Sequence, residues 1–378
     1  MKLTVYLIVA LISLVQCQLS TELERRLGKC KPSVISMYAS WSVYSSSLDK
    51  MLGTFFGEKI ENSTRLNGCG EWELAAYYGE TFSRSMILVQ KETKLAIVAF
   101  RGTTAVWGDW KLNFETTKVT CSYVKNVNCG WVHKGFHNSY MEIQEKTESH
   151  ATNLLKQGYD VILTGHSKGA AFAILSSFSL SFKNLDLRPH IHNIGFASPV
   201  VGDAEFAAAY DQTVLNAAQY MSKYKGYIFN EMDLVTTIPP RMLGFIRTKG
   251  SFLINCNKNY IGNPVGIKAR PTPPDSFMQY LPATVGCHSQ QCYLDGVITE
   301  EIIPASENDL IDPAFNGVNS AQQFDMEMSI LTTFISEMSD KTKHVHTQEE
   351  KEICFTACGR YLYPNRAVDV QTCREICA

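Results

Sequence analysis

The sequence predicts an α/β architecture: a mostly parallel central sheet flanked by helices. Three observations carry that prediction. Short apolar runs alternate with longer helical runs through the middle of the chain. Some of these runs are apolar at every position, as in strands covered on both faces. With 378 residues, 45% hydrophobic and 19% charged, the chain is long enough for one large core plus an appendage.

The first element is not part of that core. Lys2 precedes an apolar run from Leu3 to Val15, and Val15-Gln16-Cys17 offers a cleavage site. Residues 1–17 therefore read as a secretory signal peptide. The run is too short for a membrane span, although a retained interfacial anchor is an alternative reading. Residues 33–60 read as one or two amphipathic helices. Ser85–Val89 and Leu95–Phe100 follow as strands of a hairpin, the second apolar throughout. Residues 139–157 are predicted helical, Val161–Leu163 a buried strand, and Ala170–Phe182 a helix. His192–Ala197 is a strand, Ala204–Ala218 a helix and Gly226–Asn230 a strand. Phe324, Met328, Leu331, Ile335 and Met338 recur at spacings of four and three, one face of a helix that packs back on the main domain. Residues 341–352 are charged and linker-like. This divides the chain into a main domain, 18–340, and an extension, 341–378.

Net charge is −2 with no block of like charges, which argues against a nucleic-acid partner. There are 12 cysteines. In an exported protein they mostly form disulfides, and removal of Cys17 leaves an odd number, implying one free or intermolecular thiol or a different cleavage point. Cys121 and Cys129 are predicted to close a small loop. Cys30, Cys69, Cys256, Cys287 and Cys292 allow several pairings. Asn62-Ser63-Thr64 is an N-glycosylation sequon at Asn62. In the tail, Cys354 and Cys358, then Cys373 and Cys377, are each four apart and share a helix face. Two antiparallel helices turning at Pro364-Asn365 would pair Cys354 with Cys377 and Cys358 with Cys373. The unit resembles the disulfide-stapled helical hairpins of secreted proteins, and one so short needs such staples.

The chemistry centres on Gly165-His166-Ser167-Lys168-Gly169. Alone, G-x-S-x-G is a weak signal. Here a buried strand precedes it and a helix-forming run follows, the context of a nucleophile elbow. Glycines two before and two after Ser167 suit a sharp turn with no room for side chains. The Lys168 backbone N–H would then face a developing oxyanion at the helix N-terminus. An acid and a histidine must follow. Asp233, after the strand ending at Phe229, is the best-placed acid, with Asp203 the runner-up. His288 is the candidate base, while His344 and His346 lie in the charged linker. His166 reads as structural. The strand ending at Phe100 leads to Gly102-Thr103, where Thr103 is the second oxyanion donor. Trp107, Trp110 and Phe114 then fall on one face of a short helix, a candidate lid over residues 104–115.

These motifs together resemble the fungal-type class 3 triacylglycerol lipases of the α/β-hydrolase fold, over roughly residues 30–300. VAFRGTT resembles the family's oxyanion strand and loop, and WVHKGFHNSY the segment before its long helix. VILTGHSKGAA resembles the elbow, IGFASPVVGD the next strand and turn, and NEMDLVTTIPP the acid loop. The resemblance implies a Ser167–His288–Asp233 triad with oxyanion donors at Thr103 and Lys168. It implies a lipid-ester substrate met at a lipid–water interface, and no metal or organic cofactor. The sequence departs from the family at Lys168 (usually Leu), Ala170 (Gly) and Thr236 (Pro). Its histidine region also differs, with the usual nearby tyrosine five residues on, at Tyr293. A phospholipase A1, a feruloyl-type esterase, or a catalytically silent binding protein on this scaffold remain alternatives to a triacylglycerol lipase. The Lys168 side chain is expected to lean away from Ser167 toward an acidic or solvent neighbour.

Overall fold

The computed structural model describes residues 21–27, 30–44, 69–70, 72–79, 83–103, 117–123, 128–225, 230–239, 241–255, 288, 290–299 and 302–304. In chain order the strands are β1 (Glu73–Tyr78), β2 (Ser85–Gln90), β3 (Leu95–Phe100), β4 (Lys118–Thr120), β5 (Trp131–His133) and β6 (Asp160–His166). β7 (Ile191–Phe196), β8 (Asn216–Lys225), β9 (Asn230–Met232), β10 (Ser251–Asn255) and β11 (Ile302–Pro304) follow. The helices are α1 (Thr21–Leu27), α2 (Pro32–Ser42), α3 (Lys134–Lys156), α4 (Lys168–Lys183), α5 (Ala204–Thr213) and α6 (Gln290–Thr299).

The main sheet runs β1-β2-β3-β6-β7-β8-β10-β11, with β9 added to β8. Its centre, from β3 to β10, is parallel. The β1–β2, β2–β3 and β10–β11 pairs are antiparallel. Parallel neighbours need crossovers, and α3, α4 and α5 supply them between β3 and β8. The central strands are buried from end to end. Alternate residues of β3 serve two cores: Ala96, Val98 and Phe100 pack with Tyr140, Phe172 and Phe178 on one face. Leu95, Ile97 and Ala99 pack with Ile35, Met37 and Tyr293 on the other. That double burial is why β3 reads as a continuous apolar run rather than an alternating one.

Three predicted boundaries differ. Residues 33–60 were expected to be amphipathic, but every residue of α2 is buried. It lies against the sheet between α1 and α6, with no solvent face left to be polar. The helix expected over 204–218 stops at Thr213, and Ala217 and Ala218 belong to β8. The strand expected at Gly226–Asn230 is thus preceded by a longer one, and residues 226–229 lie outside the described set. Sheet pairing of β8 with β7 and β10 overrides the helix preference of the alanines.

Disulfides join Cys121 to Cys129 and Cys30 to Cys69. Cys292 is also disulfide-bonded, to a cysteine outside the described residues. The signal segment 1–17, Asn62, the lid residues Trp107, Trp110 and Phe114, the helix over 320–339, and Cys354, Cys358, Cys373 and Cys377 lie outside the described residues as well.

Candidate active site

β6 ends at His166, α4 begins at Lys168, and Ser167 alone makes the turn between them. Its φ of 60° and ψ of −128° are rare for a residue with a side chain. The two glycines explain how so tight a turn is packed. A Cβ on Gly165 would lie 2.3 Å from the Gly169 carbonyl carbon, and one on Gly169 would lie 2.1 Å from the Phe100 oxygen. Strand, turn and helix therefore meet at van der Waals limits that only glycine satisfies. The Ser167 N–H donates to the Phe196 carbonyl at 2.9 Å, tying the turn to the end of β7. The serine sits at the carboxyl ends of the parallel strands, the edge where α/β active sites assemble.

Two distant segments converge on it. His288 Nε2 is 3.0 Å from Ser167 Oγ. His288 Nδ1 lies 2.8 Å and 3.0 Å from the two carboxylate oxygens of Asp233. A carboxylate only accepts, so Nδ1 carries the proton and Nε2 is left to accept from the serine hydroxyl. Asp233 follows β9 and caps the short 3-10 helix Leu234–Thr237, accepting from the Val235 N–H at 3.0 Å. The carboxylate is fully buried, whereas the imidazole is 17% exposed. A hydroxyl, a neutral imidazole and a buried carboxylate thus form one hydrogen-bonded line, a geometry suited to nucleophilic acyl transfer.

Four residues that carried no role in the sequence reading surround this line. Tyr293, on α6, donates its hydroxyl to Asp233 Oδ2 at 2.7 Å and accepts from the Ser222 N–H at 2.9 Å. Burial, and then the Asp233 charge, push its hydroxyl well above the usual tyrosine range, so it stays a donor. Arg247 donates to the carbonyls of Ser198 and Thr236, bracing the acid turn against the end of β7. Burial lowers its guanidinium to about 10 against the pull of Tyr293 and Asp233, which leaves it charged at neutral pH. His166 is buried beside Ser167, with Tyr44 against it. Spacing alone does not reveal these contacts, because each joins residues far apart in sequence. Tyr293 did have a signal, as the one tyrosine just after His288.

The two oxyanion candidates lie on adjoining segments. A Cβ on Gly102 would lie 2.3 Å from the His166 carbonyl oxygen, so the loop carrying Thr103 packs directly on the elbow. Lys168 is the first residue of α4. Its side chain is 1% exposed, and Nζ lies 5.8 Å from the centre of the Phe172 ring. Of the two expected neighbours, acidic or solvent, this burial excludes solvent. Helix α4 is covered on every side around its first turns, and the aliphatic stem runs into that packing.

Asp203, the runner-up acid, caps α5 by accepting from the Phe206 N–H at 2.9 Å and also accepts from the Trp131 N–H. His133 caps α3 through Nδ1, and His137 and His150 hydrogen-bond Tyr123 and Tyr78. His344 and His346 lie outside the described residues. Among the described residues no group of three or more His, Cys, Asp or Glu is placed to hold a metal ion. No described helix is long and apolar enough to cross a membrane.

Residues 97–243, from β3 through the elbow to the acid turn, match the family model for lipase (class 3). Over that stretch the chain is similar to class 3 lipases. Its strand–serine–helix turn and the order of Ser167, Asp233 and His288 along the chain match those described for the α/β-hydrolase fold. It is 34% identical over 123 residues to a secreted mono- and diacylglycerol lipase of Malassezia restricta, covering 32% of this chain and 38% of that protein. It is 28% identical to a lipase of Rhizomucor miehei, covering 46% of each chain. It is 27% identical to a phospholipase A1-II of Oryza sativa subsp. japonica, covering 50% of this chain and 48% of the other. The chain thus spans less than half of the length of these relatives. Among solved structures it is similar to the Rhizomucor miehei triacylglyceride lipase at 20% identity and a TM-score of 0.48, covering 64% and 82% of the two chains.

Proposed function

We propose that this chain, similar to class 3 lipases over residues 97–243, is an exported serine hydrolase that cleaves carboxylic esters of lipids, triacylglycerols foremost. The observation that carries the reading is the hydrogen-bonded line Ser167–His288–Asp233, assembled from three separate segments. Ser167 Oγ attacks the ester carbonyl while His288 Nε2 takes its proton. Asp233 holds the imidazole tautomer and stabilises the imidazolium that forms. The backbone N–H groups of Lys168 and Thr103 face the oxyanion, each contributing about 3 kcal/mol of transition-state stabilisation. His288 then returns the proton to the leaving alcohol, and water, activated by the same imidazole, releases the acid. No metal or organic cofactor enters these steps.

The lipid-ester class rests on the names of the relatives, among them mono- and diacylglycerol and triacylglyceride lipases. A phospholipase A1 is the second reading, favoured by the match to the rice enzyme. Export rests on the amino-terminal segment 1–17 and on the secreted relative. The division into 1–17, 18–340 and 341–378, with a lid at 104–115 and a stapled hairpin at the end, belongs to the same proposal. The test is a panel of p-nitrophenyl esters, emulsified triglyceride and phosphatidylcholine, run on the wild type and on Ser167→Ala. We expect hydrolysis by the wild type and a loss on the order of 10⁴-fold or more in the variant. Wild-type protein inert on every substrate overturns the reading. A His288→Ala variant with full activity overturns the triad.

A further inference from the structure

His166 stands beside the proposed nucleophile but takes no part in the proton transfers above. It is 4% exposed, yet both ring nitrogens have partners. Nε2 lies 2.8 Å from the backbone carbonyl oxygen of His288. A carbonyl oxygen can only accept, so Nε2 is protonated. In the neutral ring Nδ1 is then an acceptor, and the Tyr44 hydroxyl faces it at 3.3 Å. The same hydroxyl lies 3.3 Å from the His166 carbonyl oxygen. Burial, and then the neighbouring His288, hold the His166 ring well below the usual histidine range, which keeps it in this neutral tautomer. The two imidazoles are in contact, with ring centres 4.7 Å apart and planes tilted by 43°.

The consequence follows from how His288 is held. Its ring is fixed at both nitrogens, by Ser167 and by Asp233. Those bonds leave the residue free to pivot at the backbone, and the contact from His166 acts on the backbone. We infer that His166 is a positioning residue: its Nε2–H clamps the His288 main chain so that Nε2 of His288 stays on line with Ser167 Oγ, and Tyr44 holds the clamp in register. The inference rests on the proposed triad and adds a member whose hydrogen bond goes to the backbone of the base and not to the atoms that exchange the proton. It also gives the second residue of the elbow motif a task. One strand end delivers both the nucleophile and the anchor for its base, so the base is placed relative to the nucleophile itself. A displacement of about 1 Å in such an arrangement is enough for a rate loss on the order of 100-fold.

Two substitutions separate the clamp from mere packing. The amide nitrogen of glutamine falls near the histidine Nε2 position, and that of asparagine near Nδ1. His166→Gln therefore keeps a donor toward the His288 carbonyl, whereas His166→Asn does not. Both place a neutral amide in the same buried site. The readouts are kcat and KM on a soluble p-nitrophenyl ester, the rate of Ser167 labelling by a fluorophosphonate, and the melting temperature. We expect His166→Gln to stay within about threefold of wild type in kcat and labelling rate. His166→Asn should fall by about 30-fold in both, with KM little changed and a melting temperature close to that of the Gln variant. Equal rates for Gln and Asn overturn the clamp. So does a loss in Asn that tracks a lower melting temperature and is absent at temperatures where both variants are folded. Wild-type protein that the fluorophosphonate does not label at Ser167 instead overturns the underlying triad.

Discussion

Tyr293→Phe removes one oxygen from the region of the base and acid, and its effect can be worked from the contacts. The hydroxyl serves two buried groups at once: it donates to Asp233 Oδ2 at 2.7 Å and accepts from the Ser222 N–H at 2.9 Å. A hydrogen bond to a charged acceptor contributes about 1.5–3 kcal/mol, and a buried donor left without its acceptor costs about 1–3 kcal/mol. The two losses share one atom and do not add fully, so about 3 kcal/mol is the expectation. For a domain of this size each kcal/mol lowers the melting temperature by about 2–4 °C, giving a fall of about 6–12 °C. Catalysis should suffer less. Asp233 keeps its bonds to His288 Nδ1 and to the Val235 N–H, so the line to Ser167 survives and kcat should fall about tenfold. Because burial and the Asp233 charge keep Tyr293 protonated, the effect should be the same at about pH 6 and pH 9. Calorimetry and ester hydrolysis on one preparation provide both readouts. A melting temperature within about 1 °C of wild type would refute the assignment of this hydroxyl as the Asp233 anchor.

Three further outcomes follow from the same structure. Gly169→Ala drives a Cβ to 2.1 Å from the Phe100 oxygen, backbone against backbone; the variant should lose more than about 3 kcal/mol in urea unfolding, or fail to fold. Lys168→Leu should keep ester hydrolysis within about tenfold, since the oxyanion needs only the backbone N–H; a loss beyond about 100-fold would give the ammonium a direct role. The third concerns Asp160, whose carboxyl burial pushes up but which His192 and Arg26 hold at about 2. Its folded value lies below the unfolded one, so its contribution is full above about pH 4 and is lost as the pH falls through about 2. Asp160→Asn should therefore cost about 1–2 kcal/mol at pH 6, a gap that closes in urea titrations as the pH approaches 2.

Much of the fold is legible in the sequence because burial on both faces leaves a local mark. β3 is apolar at every position, Val161–Leu163 gives β6 an apolar centre, and α4 follows that strand after the single residue Ser167. Where local preference and pairing disagree, the reading fails. Ala217 and Ala218 favour helix, yet the slot between β7 and β10 makes them strand. The lysine at position 168 misled for a related reason, since a cation suggests solvent and only the packing around α4 shows that its stem is buried.

The site divides in the same way. Gly165, Ser167 and Gly169 are legible because their spacing answers a steric demand that operates within five residues. Asp233 and His288 were reachable as candidates because an acid and a histidine must follow the nucleophile in order. The contacts of His166 with His288, of Tyr293 with Asp233 and of Arg247 with Ser198 were not reachable. The sequence by itself determined the α/β class, the elbow and the types of residue that had to converge on it. Only the tertiary structure decided which side chains hold the base and the acid in place. Those hydrogen bonds join segments tens of residues apart, and no local pattern records where a folded chain brings them together.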